Sequence, residues 1–234
     1  MVRCVSQWLK TGWWLAAALV LNTPLFSQGV STTVGGLTTT PTRVGPSSVF
    51  WNPASLGPTR GTVIDTNLSL VGGWLIYDRE GKDPQTDQGF DSSEIRVIAP
   101  NPYLSFASDF GFSDWKFGYS SYFPTGGFAN YPSKGSQRYE LIQGLYIPWN
   151  HQFTIAYSPN SDWSLGAGFI YSLGFFKAKF DIDMAKILSQ ITDGATVPKE
   201  SASLNSHTRI PLSTAHGFTG NFGILYRPNV QWSV

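Results

Sequence analysis

Cysteine is nearly missing from this chain of 234 residues: the one instance, Cys4, lies close to the start. It precedes an apolar run rather than following it, so it is not placed as a lipid-bearing cysteine would be, and the chain beyond it has no disulfide or Cys-based metal site. Charge is scarce too, with 13% Asp, Glu, Lys and Arg and a net charge of +1. That balance excludes a basic surface for a nucleic-acid backbone. No stretch reaches the ~20 apolar residues of a membrane-spanning helix. His151, His207 and His216 are far apart and lack a His-x-x-x-His spacing. There is neither a Gly-x-Ser-x-Gly elbow nor a phosphate loop. No metal or cofactor is therefore expected and enzyme chemistry is disfavoured, although the triad of a lipase or deacylase is recognised by geometry rather than by spacing.

Aromatics (15%) and Gly (24 residues) are plentiful instead, and their order is informative. Over 163–175 every odd position is apolar or aromatic, while Ser164, Gly166, Gly168, Ser172 and Gly174 occupy even ones. Period two is the strand signature, and the run exceeds the usual ~5–6 residues of a soluble strand. A strand crossing a bilayer at a tilt needs ~9–11 residues, with an apolar face toward lipid. Similar alternation predicts strands over about 62–77, 102–110, 115–123, 139–158, 163–181 and 214–226, with a seventh opening at 231–234. A secreted antiparallel sheet with one wet face is the other reading of this pattern. The aromatic faces are too long and too rich for that.

The connections alternate in length. Short Ser/Asp/Asn/Pro turns at 111–114, 159–162 and 227–230 each precede a Trp: Trp115, Trp163 and Trp232. Long loops fall at about 80–99, 125–138 and 182–213. Short turns at one end and long loops at the other are the asymmetry of outer-membrane barrels, and the repeated Trp suits a membrane interface. Residues 1–27 read as a secretory signal peptide: Arg3 and Lys10 are basic, 13–21 is apolar, and Leu25-Phe26-Ser27 offers a cleavage site.

Between leader and first strand, 28–61 is rich in Gly, Thr and Pro and contains Ser48-Val49-Phe50-Trp51-Asn52-Pro53-Ala54-Ser55-Leu56. Together with Tyr122-Phe123-Pro124-Thr125-Gly126-Gly127 and Thr154-Ile155-Ala156-Tyr157-Ser158-Pro159-Asn160, in that order, it resembles the FadL/TodX-type outer-membrane transporters of long-chain fatty acids and other hydrophobic compounds. Ser55 stands where that family usually has Gly. The resemblance implies an all-β transmembrane antiparallel barrel (62–234) behind an N-terminal hatch (28–61). It also implies passive, ligand-gated diffusion with a lateral exit into the outer-membrane lipid. Asn52, Pro53 and Ala54 are then candidate gating residues, Pro53 fixing φ and biasing Asn52 toward extended geometry.

About six strands and the start of a seventh are fewer than the ~8 or more that a closed barrel requires, and the resembled family has fourteen. The expectation is the N-terminal half of a longer barrel. In the last long loop, 183–192 reads as a short amphipathic helix with Asp183 as its cap. Met184, Ile187, Leu188 and Ile191 share its apolar face, a candidate first groove for a greasy ligand. A general porin and a structural or adhesive barrel are the alternatives; sparse charge on the inner face argues against the porin.

Overall fold

The structure, a computed structural model, describes residues 34–35, 39–83, 87–191, 200 and 202–228. The expected leader and the strand opening at 231–234 with Trp232 lie outside them. The described residues form seven strands: β1 Thr62–Tyr77, β2 Ser93–Ser108, β3 Trp115–Tyr122, β4 Gly127–Asn130, β5 Gln143–Tyr157, β6 Trp163–Asp183 and β7 Asn205–Tyr226. They form one sheet in the order β1-β2-β3-β5-β6-β7, with β4 paired to β5 alone, and every pairing is antiparallel. β1 and β7 do not pair with each other, so the barrel is incomplete among the described residues.

Alternation sorts the two faces. Leu68, Leu70 and Trp74 on β1 are 67%, 69% and 66% exposed, and Phe222 on β7 is 87% exposed; the residues between them turn the other way. Near the short turns, aromatic pairs cross neighbouring strands: Trp115 with Tyr157 (ring centroids 4.7 Å apart) and Trp163 with Tyr226 (4.3 Å). The turns are built by side-chain acceptors. Asn160 Oδ1 accepts from the N–H groups of Asp162 and Trp163, each at 3.0 Å. Asp109 accepts from Gly111 N (3.0 Å) and Gly61 N (2.8 Å), and these backbone donors, Gly111 first, hold its carboxyl below the usual range.

The core lies between the inner face of the sheet and the segment expected to form the hatch. Val49 and Leu56 pack with Ala107 and Ala156, and Phe50 packs against a cluster of Val34, Tyr103 and Tyr122. Two 3-10 turns, Pro46–Ser48 and Pro53–Leu56, bury all their residues.

Three elements differ from the sequence expectation. β2 begins at Ser93 rather than near 102. Its first half carries Glu94, Arg96, Pro100 and Pro102, which hide the apolar alternation, and the prolines sit where β2 has no partner on its β3 side, so a missing N–H loses no ladder bond there. β7 begins at Asn205 rather than near 214. A bulge sets Pro211 and Leu212 opposite Lys177, which tolerates the proline and shifts the visible period by one. Within the expected loop 125–138, β4 forms, followed by a 3-10 turn at Ser136–Tyr139, which delays β5 to Gln143. β6 extends to Asp183, and α1 (Met184–Ile191) follows it.

Candidate functional site

Asn52 joins the inner segment to the sheet. It precedes Pro53 in an extended conformation (φ −152°), as a pre-proline residue must, and its Oδ1 accepts from Ala54 N at 2.9 Å. Its Nδ2 donates to Ile224 O of β7 at 3.0 Å. Ser164 Oγ on β6 donates to Ala54 O at 2.8 Å. From β5, Gln152 Nε2 donates to Val49 O at 3.0 Å, and Tyr122 OH donates to Gln152 Oε1 at 2.8 Å. Tyr103 OH donates to Pro46 O at 2.7 Å. The buried Ser55, the departure from the family pattern, donates through Oγ to Gly45 O at 3.3 Å.

Glycine makes this approach possible. A Cβ on Gly166 would lie 2.3 Å from Ala54 N, and one on Gly223 would lie 1.9 Å from Asn52 Oδ1. The small even positions of β6, legible in the sequence as a nearly bare face, are thus the seat of the Asn52-Pro53-Ala54 turn. Sequence reasoning did not pair that bare face with that turn, and it missed Gln152 and Ser164, which are ordinary polar residues until something docks on them.

Farther from the short turns the sheet has a gap. β3 pairs with β2 only from Tyr103 to Ser108 and stops at Tyr122. The chain turns through 123–126, with Gly126 at φ 146°, and resumes as β4 against β5 alone. The upper half of β2 therefore has no ladder partner on that side. A cavity of about 430 Å³ occupies the gap. Its walls include Val71, Val97 and Ala99 of the inner face and Ile98 and Pro100 of the outer face, so it reaches both sides of the sheet.

At the long-loop end, α1 forms as the spacing requires: Asp183 Oδ1 accepts from Lys186 N at 3.1 Å. Met184 and Ile187 are half-buried, while Leu188 and Ile191 are exposed. The helix lies beyond the far end of β6 from the Asn52 turn, so the fold does not bring the two candidate sets together. At the same end of the sheet the carboxylate of Glu200 accepts from Arg79 at 2.9 and 2.7 Å and from Arg138 at 2.5 Å. The Arg79 hydrogen bond is the first cause that holds Glu200 below the usual carboxylate range. The same contact raises Arg79. Arg138 also donates to Tyr139 OH (2.9 Å), which donates to Asn205 Oδ1 (2.9 Å). This network clasps the loop after β1, the turn before β5 and the segment before β7.

His151 and His216 flank Tyr171, with ring centroids 6.0 and 5.9 Å from it, and among the described residues no histidine belongs to a cluster that could hold a metal ion. His151 bonds Tyr119 OH and His216 bonds Tyr171 OH, each through Nδ1 at 2.7 Å on the outer face, and His207 Nδ1 meets Asp181 at 2.6 Å.

An open antiparallel sheet with an aromatic outer face, a segment seated on its small-residue inner face and long loops at one end is the architecture of part of a plugged outer-membrane β-barrel. The chain has the fold of the FadL/TodX-type channels. It is similar to a FadL homologue from Pseudomonas aeruginosa (17% identity, TM-score 0.55, 87% of this chain and 48% of that one). It is also similar to the toluene transporter TodX from Pseudomonas putida (16%, TM-score 0.58, 86% and 52%) and to a TodX deletion mutant described as a monoaromatic hydrocarbon channel (16%, TM-score 0.63, 86% and 52%). The chain thus spans about half the length of the solved structures it resembles. No family model and no curated protein matches it.

Proposed function

We propose that this chain forms part of an outer-membrane channel for hydrophobic small molecules, long-chain fatty acids or monoaromatic compounds, which diffuse in passively and leave sideways into lipid. The gap between β2 and β4 carries this reading. It is an apolar cavity of about 430 Å³, within the size range of small-molecule pockets, placed where a strand pair lacks its ladder and open to both faces. Lipid tolerates unpaired backbone only beside a protein-lined cavity. The driving force is transfer of alkyl or aryl surface out of water, ~0.8 kcal/mol per CH₂; no bond is made or broken. The polar inner face is occupied by the 45–57 segment, which favours a plugged channel over an open porin. In this reading Asn52, Pro53 and Ala54 are the gate, and the exposed apolar residues of α1 receive ligand first.

Ala99→Trp tests the exit. Uptake of oleate and toluene should fall several-fold in cells expressing the variant at normal levels, with glucose uptake unaffected. Unchanged uptake of both hydrophobic compounds would overturn the exit through this gap.

A further inference from the structure

Above the aromatic band, the outer face of β6 and β7 changes character. Lys177 and Lys179 continue the outward series of Tyr171, Leu173 and Phe175, and Arg209 is the cross-strand partner of Lys179. None of the three has an ion-pair or hydrogen-bond partner among the described residues. On β5 the residues opposite Lys177 and Lys179 are Leu145 and Gln143, so no acid faces them there. Of the acids nearby, Asp181 is buried against His207 (2.6 Å) and Asn205 (3.4 Å), and Asp183 caps α1; Glu140 lines one cavity with Lys177 but forms no ion pair with it among the described residues. Three cations without an acidic partner among the described residues are notable in a chain with so little charge.

Their height matters. A strand tilted by ~40° climbs about 2.5 Å per residue along the barrel axis. Lys177 and Lys179 then stand roughly 35–40 Å from the Trp163 girdle, about 10–15 Å past an apolar band ~25 Å tall and at the outer limit of the headgroup region. Below them the outer face offers Phe169, Tyr171, Phe175 and Phe218, a wide apolar surface for acyl chains.

We propose that Lys177, Lys179 and Arg209 bind the phosphate groups of a phosphorylated, multiply acylated glycolipid of the outer leaflet, whose chains lie on the aromatic face beneath. Arg209 and Lys179 sit a cross-strand spacing of ~5 Å apart and Lys177 ~7 Å along, which suits more than one phosphate oxygen cluster. The arginine offers a bidentate fork and the lysines offer point charges. The site rests on the reading of this sheet as membrane-embedded.

Titration of the detergent-solubilised protein with a bisphosphorylated, acylated disaccharide lipid, read by native mass spectrometry, tests it. The K177Q/K179Q/R209Q variant should bind on the order of a hundredfold more weakly, since each surface cation near anionic lipid contributes several-fold. R209K should keep most of the affinity, and K134Q, in a loop away from the cluster, should keep all of it. Where the triple variant fails to fold by far-UV circular dichroism, the K177Q/K179Q pair is read in the same way. Unchanged affinity in the folded variant overturns the proposal, as does equal binding of phosphatidylglycerol or displacement by millimolar inorganic phosphate. Insertion into plain phosphatidylethanolamine vesicles is followed in parallel: failure to insert removes the membrane reading itself, whereas insertion without glycolipid preference removes only this site.

Discussion

Gly166 and Gly223 are the residues on which the seating of the inner turn depends. Each leaves room for backbone or amide atoms that a methyl group would strike at 2.3 and 1.9 Å. Gly166→Ala meets backbone, which cannot swing aside, and should destabilise the folded protein by about 1–3 kcal/mol. Thermal unfolding in detergent would register this as a lower midpoint. Asn52→Ala removes both the bond to Ala54 N and the bond to Ile224 O. It should cost about 1–2 kcal/mol and alter uptake of oleate at normal expression. Unaltered uptake would reduce Asn52 to a structural cap.

Among the elements, the loop clasp and α1 respond to different conditions. Glu200 is depressed below its ordinary 4.5 by Arg79 first, so its contribution to loop order is complete above that pH and is lost as pH falls through the lowered folded value. Amide hydrogen exchange in the loops holding Arg79 and Arg138, corrected for its intrinsic pH dependence, should therefore be faster in Glu200→Gln at pH 7, with wild type and variant converging once acid has protonated the carboxyl. On α1, Leu188 is 40% exposed. Leu188→Asp should leave circular dichroism unchanged and weaken binding of a fluorescent fatty acid if the helix receives ligand; equal binding would assign that face to loop packing alone.

For the whole molecule, the outer face decides the solvent. Side chains such as Phe218 (70% exposed) and Ile98 (69% exposed) form an apolar surface far beyond what a soluble monomer displays, and the edges of β1 and β7, unpaired among the described residues, add open backbone donors and acceptors. The protein should sediment as aggregate in buffer and stay dispersed in detergent, as analytical centrifugation would show. A folded, dispersed species without detergent would contradict the membrane reading.

Period-two alternation in residues such as Leu68, Leu70, Trp163 and Phe169 was sufficient to place most strands and their apolar faces, because a face toward lipid needs nothing from the rest of the chain but its parity. The Asn52-Pro53 turn and the Asp183 cap were equally local. The half of β2 that carries two prolines, the bulged start of β7 and the short β4 were not legible, since each is held by a neighbour distant in sequence. So too were the fit of Gly166 and Gly223 to Asn52-Pro53-Ala54 and the gap beside β2, where one strand ends before its neighbour does. Parity is a property of the chain alone; a seat, a clasp and a gap exist only where two remote stretches are brought to, or kept from, hydrogen-bonding distance.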